Sequence, residues 1–142
     1  MLALLTGLLL SCMTIDQRVS AYKCKFNIIS VDIRGFSLTG MTLGLSVDIA
    51  NPNKIDVVID KMVLDLYIKN IKTVNVTFNE VTIPTKKKKT VNADIVIPYS
   101  IIGMTMVDDI KKNREIPYRL AGMAYMNTRL GVVTYPVTLS MN

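Results

Sequence analysis

At 142 residues the chain is long enough for one autonomous hydrophobic core and needs no second domain. Hydrophobic residues make up 50% and charged residues 20%, with a formal net charge of +6, which excludes a disordered acidic chain. The basic balance favours an anionic surface as partner, whereas 6% aromatics and no tryptophan leave little from which to build base-stacking platforms, so nucleic acid is not expected.

Residues 2–10 carry no charge and only Thr6 as a polar side chain. An apolar run of that length falls well short of the roughly 20 residues that cross a bilayer and reads as the core of a signal peptide. It ends in Leu9-Leu10-Ser11-Cys12, which resembles a bacterial lipoprotein lipobox, a small residue ahead of a cysteine that becomes the acylated first residue. The resemblance implies a signal peptide over 1–11, lipid attachment at Cys12 and a lasting anchor, because two or more acyl chains hold where one does not. Met13 stands where an inner-membrane retention signal would place Asp, which implies an outer-membrane location facing the periplasm. The plainer alternative is an apolar N-terminal strand with a buried cysteine. Residues 13–21 break the apolar pattern and would tether the domain over 22–142, reaching at most roughly 30 Å when extended. Cys24, the second of the chain's 2 cysteines, alternates with Tyr22 and Phe26 and reads as a small buried hydrophobe.

The rest alternates with the period of half-buried strands. A first strand is expected over 26–34, with a bulge where its apolar parity changes between Ile28 and Ile29. A loop bracketed by Gly35 and Gly40 leads to the clearest strand, in which Leu43, Leu45, Val47 and Ile49 share one face and Gly44, Ser46, Asp48 and Ala50 the other. Asn51-Pro52-Asn53 ends it with a residue that cannot donate to a ladder between two that can bond a turn. A third strand runs from Val57 to Ile68 with a parity change near Asp60, and Asn70 sits at a hairpin turn before a fourth over 73–78. Val81 and Ile83 extend the path to Pro84. The run Lys86, Lys87, Lys88, Lys89 then occupies a loop ahead of a fifth strand that carries Val91, Ala93, Ile95 and Ile97 on one face. Ile102, Met106 and Ile110 change the period to that of a helix, with Ser100 as its expected N-cap and Lys111 and Lys112 suiting its C-terminal dipole. Pro117 opens a sixth strand, and Val133, Tyr135, Val137 and Leu139 form a seventh, which Pro136 marks as an edge or bulged strand. Seven antiparallel strands with one helix between the fifth and sixth describe a mainly β, immunoglobulin or fibronectin III-like sandwich.

Val47-Asp-Ile-Ala-Asn-Pro-Asn53, Leu66-Tyr-Ile-Lys-Asn70, Ile116-Pro-Tyr-Arg-Leu-Ala-Gly122, Asn127-Thr-Arg-Leu-Gly131 and Tyr135-Pro-Val137 follow one another in the order and spacing of a known family. Over about residues 30–139 the chain resembles the late embryogenesis abundant type 2 family, also described as the water stress and hypersensitive response domain. The resemblance implies a sandwich of two antiparallel sheets with one helix, and a role in desiccation or other stress.

Nothing in the sequence points to catalysis. With no histidine anywhere, the commonest general base and the commonest metal ligand are missing. Asp32, Asp48, Asp65 and Asp94 stand singly on solvated strand faces, and Asp108 and Asp109 point to different sides of a helix. Phosphate-binding glycine loops and zinc-type cysteine pairs are absent, so no catalytic residue, metal or cofactor is expected. Lys86, Lys87, Lys88 and Lys89 read most simply as a solvated loop that discourages edge pairing, and beside an anionic surface each adds roughly 1 kcal/mol. The 9 methionines read as core filling, although such side chains also line adaptable apolar pockets. The expected function is a non-enzymatic, membrane-anchored binding or stress-protective domain. The alternative is a carrier that opens to hold a lipid or another apolar ligand.

Overall fold

The computed structural model describes residues 23–112, 115–128 and 131–141. Cys12 and the rest of residues 1–22 lie outside the described residues, and so do the expected signal peptide and tether. The alternation over the second strand is realised as β2 (Gly40–Ala50), in which Met41, Leu43, Leu45, Val47 and Ile49 are all buried. Each such aliphatic side chain contributes about 1.5–3 kcal/mol by leaving water. β2 is the centre of a three-stranded antiparallel sheet between β1 (Lys25–Phe36) and β7 (Lys88–Pro98). The expected bulge lies in β1, where the register against β2 shifts between Ile28 and Ser30, and a second shift follows between Ile33 and Gly35.

The third strand of the sequence reading is two strands, β3 (Val57–Ile59) and β4 (Lys61–Ile68). Asp60 separates them because its N–H donates to the Tyr125 carbonyl at 3.0 Å, outside the β3 ladder, while its carboxylate accepts the Asn127 N–H at 2.6 Å. β4 turns through Lys69 and Asn70, both with positive φ, into β5 (Ile71–Phe78), which is the expected hairpin. Val81 and Ile83 belong to a further short strand, β6 (Val81–Ile83), paired with β3. The count of seven therefore becomes, among the described residues, nine strands in three antiparallel sheets, since β8 (Tyr118–Thr128) and β9 (Gly131–Met141) complete a second large sheet ordered β5-β4-β8-β9. Pro136 lies on β9 at the edge of that sheet, where a missing N–H is tolerated.

The two large sheets turn their apolar faces toward one core, with β1 beside β9 at one flank and β5 beside β7 at the other. The single described helix, α1 (Tyr99–Lys111), follows β7 and covers one end of that core with Ile102, Met106, Val107 and Ile110. Its start differs from the expectation. The residue ahead of the helix is Pro98, with no side-chain cap, and Ser100 lies inside the first turn. Gly103 interrupts the helix at φ 77° and ψ 161°, a conformation that only glycine adopts without strain. The molecule thus has a helix end, where β7 passes into α1, and an opposite end, where β1 begins, β2 finishes and β4 starts.

Candidate functional site

At the helix end the flank between β1 and β9 stays open. Val31, Asp32 and Ile33 of β1, Ile110 and Lys111 of α1, residues 115–118 and Met141 of β9 line a cleft of about 640 Å³. Ile110 and Ile116 are buried at its base, whereas Ile33 is 37% exposed. Asp32, Lys111 and Glu115 supply charge around these apolar walls. The Lys111 ammonium lies 4.8 Å from the centre of the Phe36 ring, a cation–π contact that holds the last helical turn against the end of β1. Burial at the cleft raises the Tyr118 phenol above its ordinary pKa, so at neutral pH it is a neutral hydroxyl. The volume falls in the range of small-molecule sites, and a lining that mixes aliphatic and charged side chains suits an amphipathic ligand, with an apolar part and a polar end.

Beneath the helix, Asp109 is buried at 8% exposure and accepts from the Lys69 ammonium at 2.7 Å. Sequence reasoning passed over this pair, although Asp109 follows Met106 by three positions and so shares its buried helix face. Asp108 points the other way and pairs with Lys112 at 2.9 Å, which raises the Lys112 pKa through that hydrogen bond and charge.

The Asn51-Pro52-Asn53 turn sits at the opposite end and is more than punctuation. Asn51 is 2% exposed. Its amide donates to the carbonyls of Ile55 and Ile83, both at 2.9 Å, and its side-chain oxygen accepts the Asn53 N–H at 2.9 Å. Its own N–H donates to the Lys87 carbonyl at 2.9 Å, which joins this turn to the lysine run. Pro52 contributes its carbonyl as acceptor for the Lys86 ammonium at 2.6 Å. Only Lys86 and Lys87 form the loop, because Lys88 and Lys89 already pair in β7 opposite Ala50 and Ile49. All four lysines are exposed. The structure thus brings the Asn51 turn and the run together and keeps both away from the cleft.

Cys24 is buried just ahead of β1, and burial pushes its thiol up to about 11. Tyr135 of β9 buries its hydroxyl without a hydrogen-bond partner, and its phenol is raised well above the ordinary range by burial, then by the Cys24 charge. Among the described residues no group of His, Cys, Asp or Glu could hold a metal ion. Among them, too, no helix is long and apolar enough to cross a membrane.

These elements define a mainly β, antiparallel domain with one helix over the end of its core and a cleft beside it. A late embryogenesis abundant protein profile matches residues 46–141, and the chain belongs to that family. The fold is similar to a solution structure from Arabidopsis thaliana, 16% identical with a TM-score of 0.61, over 82% of this chain and 78% of that one. It is also similar to a solution structure described as that of a late embryogenesis abundant protein, 17% identical with a TM-score of 0.54, over 83% of this chain and 68% of that one. No curated protein sequence matches the chain.

Proposed function

We propose that this chain is a non-enzymatic late embryogenesis abundant domain, tethered to a bacterial outer membrane through acylated Cys12, that binds an apolar ligand in the cleft between β1 and β9. The observation that carries the proposal is the cleft itself, a half-open space of about 640 Å³ in which aliphatic side chains such as Ile33, Ile110, Ile116 and Met141 stand beside the three charged ones. Lys111, held over Phe36, is the cation best placed for a carboxylate or phosphate end of such a ligand, with Asp32 and Glu115 disfavouring a second anion. A signal peptide over 1–11 and a tether over 12–21 would keep the domain near its membrane, and protection during desiccation or other stress is the setting that the family name supports.

The test is to purify the full chain, extract it with organic solvent and analyse the extract for lipid that is not covalently attached. About one lipid per chain, lost when Ile33→Glu places a charge on the cleft wall, is the expected result. An empty cleft in protein taken directly from its membrane would refute ligand binding. The anchor is checked separately. Cys12→Ala releases the protein to the soluble fraction, and fatty acid still incorporated into that variant would exclude Cys12 as the site.

A further inference from the structure

We infer that the end of the domain opposite the helix is a docking face for an anionic lipid surface, and this inference rests on the proposed tether at Cys12. Strand pairing brings to that end lysines that lie far apart in sequence. Lys25 opens β1 opposite Ala50, and Ala50 pairs on its other side with Lys88, so that three neighbouring strands present the start of β1 and the lysine run in one row. Lys23 precedes that row, Lys54 lies in the loop after the Asn51 turn, and Lys61 starts β4 with its ammonium 5.3 Å from the centre of the Tyr125 ring.

Among the described residues the carboxylates of this end are Asp48, Asp56, Asp60 and Glu80, half as many as the lysines. Three of them are turned to local bonds. Asp48 accepts the Thr90 hydroxyl at 2.6 Å, Asp56 the Thr85 N–H at 2.9 Å and Asp60 the Asn127 N–H. Toward the helix end base meets acid in Lys69 with Asp109, Lys112 with Asp108, Lys72 with Asp65 and Arg34 with Asp94. The charge asymmetry is therefore a property of the fold and is invisible in the overall balance. Two features fit a membrane as the occupant. β1 begins at Lys25, at this same end, so a tether from Cys12 would lead into the domain where the lysines are. Lysines on a flat row of strand ends also reach a planar surface together, within the roughly 8 Å over which physiological salt leaves their attraction effective.

The experiment uses the full chain reconstituted into vesicles of phosphatidylcholine alone, or with about one third phosphatidylglycerol, and measures lysine acetylation by brief exposure to an aqueous reagent. Lys25, Lys54 and Lys86 to Lys89 are expected to react about fivefold or more slowly on the anionic vesicles, with Lys72 and Lys112 unchanged and the difference removed by about 0.5 M salt. In the full-length Lys87→Gln, Lys88→Gln variant, affinity for anionic vesicles falls about fivefold for each charge removed. Equal reactivity of both ends on anionic vesicles overturns the docking face, and so does protection centred on Lys72 and Lys112. Protection of the run by soluble polyglutamate but not by anionic vesicles assigns the face to an acidic protein and also overturns it. A failed anchor has a different signature, since it changes the release of Cys12→Ala and not the labelling pattern.

Discussion

Replacing Asn51 by alanine removes a side chain that satisfies four backbone groups at once, the Pro84 carbonyl among them through a longer bond of 3.3 Å. The Ile83 carbonyl is inside the protein, where an acceptor left unpaired costs about 1–3 kcal/mol, while the Ile55 carbonyl and the Asn53 N–H are partly open to water and cost about 0.5–1.5 kcal/mol each. Together these give about 2–6 kcal/mol, a fall in Tm on the order of 10–20 °C for a domain of this size. Asn51→Asp is the sharper perturbation. It keeps an acceptor for the Asn53 N–H but turns an oxygen toward the three carbonyls that the amide now serves, so at pH 7 it is at least as destabilising as alanine. The aspartate is held protonated more easily in the fold than in the unfolded chain, which raises its folded pKa, so its stability recovers as pH falls and is lost again as pH rises through that value. Urea unfolding of the three proteins at pH 7 and about pH 4 measures this directly. Asn51→Ala within about 1 kcal/mol of the parent, or Asn51→Asp milder than alanine at pH 7, would refute the hydrogen-bond account.

Gly122→Ala sets a Cβ into the Val63 carbonyl oxygen and within 2.8 Å of the Leu64 Cα, both backbone, so β4 and β8 must part. A loss of about 3 kcal/mol in denaturant unfolding is expected, and near-neutral behaviour would mean that the strands separate easily. Tyr135→Phe deletes a buried hydroxyl that has no hydrogen-bond partner and should raise stability by about 1 kcal/mol, a loss being the contrary result. Alkaline pH should weaken the fold, because the unfolded chain releases the Cys24 proton near 9.0 while the folded chain holds it to about 11. Stability from this group is complete below pH 9 and falls by about 2–3 kcal/mol as pH rises through 11, with Tyr118 and Tyr135 acting in the same direction. Urea midpoints at pH 8 and 10.5 should differ less in Cys24→Ala, and an equal fall in that variant would remove Cys24 from the account.

The strands were readable because their signal is local. Alternation over Met41 to Ile49 reports a buried face directly, and the parity change at Ile28 and Ile29 reports the bulge. What escaped depends on partners distant in sequence. Asp60 divides a continuous run only because Tyr125 and Asn127 take its bonds, and Gly103 breaks a helix whose apolar spacing passes straight through it. Lys88 and Lys89 belong to β7 because Ala50 and Ile49 are there to pair with them, despite a composition that suggests a loop. The cleft was the least legible feature. Its walls come from β1, the last turn of α1, residues 115–118 and the end of β9, none of which departs from ordinary strand or helix patterning.

The two proposed surfaces place opposing demands on orientation. Along β1, Val31 to Ile33 lie six to eight residues beyond Lys25, about 20–25 Å at the rise of a strand. A domain resting on its lysines therefore carries the cleft about that far above the headgroups, beyond the reach of a lipid that remains in the same leaflet. Loading the cleft from that leaflet requires the domain to lift and turn, and eleven residues from Cys12 to Lys23 extend to at most about 35–40 Å, enough to allow it. If both proposals hold, docking and loading would be alternative states of one tethered domain, and whatever weakens the lysine contact, salt above all, would favour the state in which the cleft meets the membrane. A cleft that served a ligand arriving from the other side would need no such turn, because the docked pose already faces it outward.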